Sequence, residues 1–185
     1  MLTSGQSGQF SEKGFSDGGA GAFETDLGVV FGRLIHVRGI HYLNSRLSVS
    51  YAIPSNVHVK GFNNYGGGFG TKGLVKVGNS ITTLLGLELN MSLNWALALD
   101  VAYAYGNKTR FSGRKGFNPD GSHASVGGPS FNQVSLAPAL EYNFNESVGI
   151  IAGAWFTVAG RNSSQFATGV VAVNWYAPFV PQKTK

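Results

Sequence analysis

The stretch from Ile81 to Tyr105, ITTLLGLELNMSLNWALALDVAYAY, decides what kind of fold this chain can adopt. Ile81, Thr83, Leu85, Leu87 and Leu89 alternate with Thr82, Leu84, Gly86, Glu88 and Asn90. After Ser92–Asn94 the pattern restarts, with Trp95, Leu97, Leu99, Val101, Tyr103 and Tyr105 opposite Ala96, Ala98, Asp100, Ala102 and Ala104. A helix would scatter these residues around its circumference. A strand sorts them onto two faces, one apolar and one small or charged. Two such runs joined by three residues predict an antiparallel hairpin.

The same period of two extends both ways. Phe23, Thr25, Leu27, Val29 and Phe31 share a face, as do Leu43, Leu47, Val49, Tyr51 and Ile53, until Pro54, which cannot donate to a ladder, stops the pairing. A short basic connection at His36–Gly39 joins these two runs. Downstream, Val134, Leu136, Pro138, Leu140, Tyr142 and Phe144 form a third apolar face, with Pro138 expected at an edge or bulge. The runs VGIIAGAWFTVA (148–159) and FATGVVAVNWYAPF (166–179) complete about seven strands within 20–179. Residues 1–19 read as a loop rich in Gly, Ser and Gln, and 180–185 as a tail.

Composition says what the apolar face meets. Only 12% of residues are Asp, Glu, Lys or Arg, about half the usual share for a globular domain. Gly (27 residues) and aromatics (12%) are high, and Cys is absent. No run of about 18 apolar residues supplies a transmembrane helix. An all-β, antiparallel transmembrane β-barrel satisfies all of these at once, because its lipid-facing residues are spread over every second position. Aromatics at the ends of the apolar faces, among them Phe23, Tyr51, Trp95, Tyr105, Tyr142, Phe144 and Trp175, match interfacial girdles. A soluble β-sandwich would need some charge on both faces, and the apolar one offers almost none.

Connection lengths add an orientation. Short turns near Val37, Ser92 and Glu146 alternate with long segments at 55–79 and 106–130, both read as loops, with GRNSS (160–164) the exception. Short turns on one rim and long loops on the other fit a bacterial outer-membrane barrel, the short turns being periplasmic. Barrels of this kind close with an even number of strands, so seven imply the C-terminal part of a larger barrel. The opening residues carry no basic and apolar export signal, consistent with the same expectation.

The spacing Gly68-x-Gly70-x-x-Gly73 mimics a dinucleotide-binding fingerprint. That motif must open a helix whose N-terminus holds the pyrophosphate. Here LVKVGNSITTLLGLEL follows, a strand pattern, and Lys72 is followed by Gly73 rather than the Ser or Thr of a phosphate loop. The cluster therefore reads as loop, or as a loop folded inward to constrict a lumen.

The segments GFNNYGGGFGTKG, LNWALALDVAYAYGNKTRFSG, SLAPALEYNF and FTVAGRNSS resemble a family of Gram-negative outer-membrane channels linked to the meta-cleavage pathway of phenol degradation. The similarity runs over roughly residues 20–176. It implies a barrel of about twelve strands that passes small hydrophobic or aromatic compounds, with no catalytic motif and no cofactor.

Charged residues are then assigned by face. Glu24, Asp26, Arg46, Glu88, Asp100 and Glu141 lie opposite the apolar residues and are expected to line the lumen. They either pair with Arg46 and lumenal water or make an interior that favours cations. Glu88 and Asp100, on strands joined by one tight turn, are expected to be close. Lys108, Arg110, Arg114 and Lys115 fall in a long loop, where outer-membrane lipid and lipopolysaccharide phosphates are the expected partners. The net charge is +5, but Lys60, Lys72, Lys76 and the other basics read as dispersed among loops and tails rather than along one face, which argues against nucleic acid. His36, His41, His58 and His123 show no metal-ligand spacing, and no His sits near a strand-face Ser as a hydrolytic triad requires. The sequence thus predicts a passive channel of the bacterial outer membrane and not an enzyme. The alternative is a structural or adhesive barrel whose surface loops bind a partner.

Overall fold

The hairpin predicted over 81–105 forms as β5 (Ser80–Asn90) and β6 (Trp95–Gly106), paired antiparallel with Leu87 opposite Leu99 and Gly86 opposite Asp100. The computed structural model describes residues 21–176 of the chain, so the readings for 1–19 and for 177–185 lie outside the described residues. Within them the protein is all-β and antiparallel, with no helix.

The remaining long strands are β1 (Glu24–Arg38), β2 (His41–Pro54), β8 (Phe131–Asn143), β9 (Val148–Arg161) and β10 (Ala167–Trp175). Together with the central hairpin they make a seven-stranded meander in the order β1-β2-β5-β6-β8-β9-β10. All seven strands expected from the sequence are present. The basic segment read as a connection before Gly39 is instead the end of β1, which turns at Gly39 with φ of 58°. Pro138 sits inside the sheet rather than at its edge. It is paired with Leu99 on one side, but the β8–β9 ladder is interrupted at Ala137–Pro138, where its missing N–H has no partner to serve.

The sheet is open. β1 and β10 are its two edges, they do not pair with each other, and every residue of both is exposed. Directly paired residues share a face, so register fixes the two surfaces. One carries the residues of the Leu27, Leu47, Leu87, Leu99 and Leu140 set. The other carries Gly32, Arg46, Gly86 and Asp100 in a single lateral row, with Ala98 in the next row on that face and Glu141 in the row beyond it.

The segments 55–79 and 106–130 are not merely loops. They contain β3 (Val57–Lys60), β4 (Lys72–Lys76) and β7 (Arg110–Arg114), joined as a second sheet in the order β3-β4-β7. These strands follow β2, precede β5 and follow β6, so the small sheet repeats the order β2-β5-β6 beyond the rim. It has its own core: Val57, Val59, Val75 and Ala22 are buried, with Tyr65, Val77, Phe111 and Val126 packed on them. The glycine cluster opens β4, a strand, and its role is steric. A Cβ at Gly68 would stand 2.1 Å from the Phe117 carbonyl oxygen, and Gly67 holds a φ of 97°, so only glycine lets these two connections lie against each other.

Candidate functional site on the concave face

An open depression of about 350 Å³ lies on the small-and-charged face, reaching from Val30 of β1 to Ile151 of β9. On a flat sheet those residues would be about 24 Å apart at roughly 4.8 Å per strand. One depression touching both means that this face is the concave one and the leucine face the convex one.

The floor is built from residues without bulk, Gly32, Gly86 and Ala98, and its charged members are Arg46, Glu88, Asp100 and Glu141. A Cβ on Gly86 would come within 3.0 Å of Asp100 Oδ1. Glycine there lets the Asp100 carboxylate lean across β5 toward Arg46, which occupies the next place in the same row. The two do not close into an ion pair among the described residues. Glu88 and Asp100 are diagonal neighbours rather than directly opposed, since Glu88 pairs with Ala98. The carboxylate that acts electrostatically on Glu88 is Glu141, two strands away across the alanines of β6. Glu141 also accepts a hydrogen bond from Asn174 Nδ2 at 3.5 Å.

Four of the six residues expected to face a lumen thus gather in one depression. Glu24 and Asp26 share the face but stand apart, on the exposed edge strand β1 at the rim of the long connections. There Glu24 acts on Tyr65, whose phenol is pushed above its ordinary value by burial first and by that negative charge second.

Trp155, unassigned in the sequence reading, belongs to the concave face. Its Nε1 donates to Ser135 Oγ at 3.0 Å, and its ring stacks edge-on with Phe166 at 5.0 Å. Both faces of β9 are apolar or small, so alternation gave no orientation there. With Val30, Leu34, Ile151 and Val170, Trp155 makes the flanks of the concavity apolar on either side of the charged centre.

The convex face carries the other half of the site. Trp95, Tyr142, Phe144 and Trp175 cluster at the short-turn rim, with Trp95 and Tyr142 rings 4.7 Å apart and Tyr142 edge-on to Phe144 at 5.0 Å. At the other rim Tyr51 Oη accepts from Asn79 Nδ2 at 2.7 Å, and Tyr105 Oη donates to Asn107 Oδ1 at 3.2 Å. Between the belts the side chains are aliphatic and open to the surroundings: Leu27 is 62% exposed, Leu97 47% and Val171 72%. From Trp95 to Tyr105 the strand rises roughly 34 Å, which at a tilt of about 40° spans about 26 Å, close to the ~25 Å apolar band of a membrane barrel.

The surface basics occupy the second sheet. Arg110 and Arg114 begin and end β7, Lys108 precedes it, and Lys115 follows, its carbonyl accepting the Thr71 hydroxyl. The basics of the long connections are not dispersed, as the sequence reading had it. Lys60, Lys72 and Arg114 are paired side by side across β3, β4 and β7, and Lys76 is paired with Arg110.

Comparison with protein-family models, with curated proteins and with solved structures gave no match to this chain.

Proposed function

We propose that the seven-stranded sheet is an arc of the wall of an outer-membrane β-barrel that passes small molecules passively. The observation that carries this reading is the convex face: exposed aliphatic side chains in a band of membrane height, with aromatic residues at both ends, the hydroxyls of Tyr51 and Tyr105 at one of them bonded to Asn79 and Asn107. Water would penalise such a surface, whereas hydrocarbon accepts it.

Within a bilayer the unpaired edges of β1 and β10 would each leave a row of backbone groups unsatisfied, at several kcal/mol per group. The reading therefore requires further strands to pair with both, from the same polypeptide or from other copies. The concave face then becomes part of a lumen. Its three carboxylates against one guanidinium would favour cations over anions, since a narrow passage with low-dielectric walls focuses fixed charge. The apolar flanks at Val30, Ile151 and Trp155 would offer contact to a hydrophobic or aromatic solute, the class implied by the resemblance to channels of the phenol meta-cleavage family. No bond is made or broken in this mechanism.

An adhesive role is the second reading. It is favoured by the buried core beneath β3, β4 and β7, which makes the surface connections an ordered platform rather than loose loops. Single-channel recording in planar bilayers separates the two. Discrete conductance steps with cation selectivity support the channel. A barrel that inserts yet stays silent, and whose surface binding is lost when 57–76 is deleted, supports adhesion.

A further inference from the structure

The second sheet stays in step with the first. Ala52 faces Ser80, and five residues further along both strands Val57 faces Val75. Ser80 faces Gly106, and four residues further Lys76 faces Arg110. With no slip between the ladders, the facing of Arg46, Gly86 and Asp100 carries over, so Lys60, Lys72, Lys76, Arg110 and Arg114 extend the concave face. Val57, Val59, Val75 and Phe111 turn the other way, into the core. All five cations are exposed, and none forms an ion pair among the described residues.

Where the two sheets meet, between Lys76 and Ser80 on one strand and Gly106 and Arg110 on the next, the ladder is interrupted. An open depression of about 260 Å³ lies against this gap. Lys76, Lys108 and Arg110 line it, and no acidic residue does. Gly78 forms part of the wall, and a Cβ there would stand 2.1 Å from the Asn107 carbonyl oxygen, so the strands close on the gap only with glycine. The carboxamides of Asn79 and Asn107 also reach the wall, but each is bonded to a tyrosine hydroxyl of the opposite face. The groups left to meet a ligand are the three cations. Lys76 directly opposes Arg110, and like charges facing across a ladder destabilise it. An anion between them turns that repulsion into attraction, and Arg110 offers a fork that matches two oxygens of a carboxylate or phosphate. The volume is below the roughly 300–1,000 Å³ of pockets for drug-sized ligands, which suits a small anion.

We infer that this depression is a binding site for a small water-soluble oxyanion, a carboxylate or a phosphate, held by Lys76, Lys108 and Arg110. Lys60, Lys72 and Arg114, on the same face but outside the pocket, raise the local anion concentration. The site needs only the two sheets and does not depend on the membrane reading. Under that reading it lies on the side away from lipid, so its ligand arrives from water. It is also separate from the depression of Glu88, Asp100 and Glu141, whose charge opposes an anion.

The test titrates the full chain, in a non-ionic maltoside at fixed ionic strength, with inorganic phosphate and with benzoate by isothermal calorimetry. Saturable binding of a single anion per chain is expected, with either anion displacing the other. Arg110→Gln or Lys76→Gln should weaken it by about 10- to 100-fold, the effect of losing one hydrogen bond to a charged group. Arg110→Lys, which keeps the charge but not the fork, should recover part of the loss. Lys72→Gln with Arg114→Gln should weaken binding by less than about threefold, and chiefly at low salt. Heat that never saturates in the wild type, or indifference to Arg110→Gln and Lys76→Gln while circular dichroism shows an intact sheet, would overturn the inference. So would a loss from the Lys72 and Arg114 pair as large as that from Arg110→Gln, together with a strong preference for tripolyphosphate. The ligand would then be a polyanion spread over the whole face. Displacement of phosphate by phosphatidylglycerol in mixed micelles would likewise reject a soluble ligand in favour of a headgroup. Saturable binding by a chain that never conducts supports the site and rejects only the pore.

Discussion

Replacing Leu99 by arginine probes the convex face at its deepest point. Leu99 lies near the middle of the run from Trp95 to Tyr105, pairs with Leu87 on one side and Pro138 on the other, and shares the aliphatic band with Leu97 and Val101. If that band meets hydrocarbon, an Arg at its centre costs about 2–4 kcal/mol, falling toward 0–1 kcal/mol near the interface. Leu97→Arg, one step closer to the Trp95 belt, should cost less, because its guanidinium reaches the headgroups by extending along the strand. Ala98→Ser, between them on the concave face, should change stability by less than about 0.5 kcal/mol. Guanidinium titration of the chain folded into liposomes, followed by tryptophan fluorescence, gives the three values on one scale. The order Leu99→Arg, then Leu97→Arg, then Ala98→Ser is the expected outcome. A protein layer over this face would instead penalise the two arginines alike, because a packed core has no depth gradient, and that result would refute the reasoning.

Other perturbations follow from the same geometry. Asp100→Asn together with Glu141→Gln leaves Arg46 with one carboxylate in the depression, so the reversal potential in a salt gradient should shift toward anions. An unchanged potential would remove the lumenal role of these residues. Trp155→Phe strands the hydroxyl of Ser135, which is only 4% exposed, and should cost about 1–3 kcal/mol in the same titration, with Ser135→Ala on that background recovering part of it. Gly68→Ala puts a methyl group 2.1 Å from the Phe117 carbonyl, so proteolysis within 61–71 and 115–126 should accelerate while the seven-stranded sheet keeps its unfolding midpoint. The hydroxyl and amide of Ser122 hold the Asp120 carboxyl below its ordinary value. A depressed carboxyl contributes stability above its unfolded pKa of about 3.9 and loses it as pH falls through the folded value. Protection of the 118–122 turn amides should therefore drop in acid for the wild type, and be low and flat with pH in Asp120→Ala.

Five of the seven long strands were legible because each carries an alternation with one apolar face, as in Trp95 to Tyr105, and β9 and β10 because they are largely apolar runs bounded by turn residues. β3, β4 and β7 were not, because VHVK, KGLVK and RFSGR are four or five residues long and rich in Gly and cations. Their stability comes from pairing 72–76 with 110–114 and from a core shared with Ala22, contacts that no local pattern encodes. The basic face was hidden for the same reason. Lys60, Lys72 and Arg114 are far apart in sequence, and only lateral register sets them in a row. Glu88, Asp100 and Glu141 were readable as one face from parity alone, whereas which carboxylate sits by which depended on the alanines of β6. Trp155 escaped because Ile150, Ile151, Ala152, Gly153 and Ala154 give both faces of β9 the same character.

The sequence contains no cysteine, which permits a direct measurement of what each face touches. Single cysteines placed in turn at 97 to 104, spin-labelled, and reconstituted in lipid vesicles report collisions with oxygen, which concentrates in hydrocarbon, and with a water-soluble nickel chelate. The expected result is a strict alternation along β6, oxygen dominating at 97, 99, 101 and 103 and the chelate at 98, 100, 102 and 104, with oxygen highest at 99 and 101. Labels at 99 and 101 shielded from both reagents, as beneath a second protein layer, would contradict the membrane account.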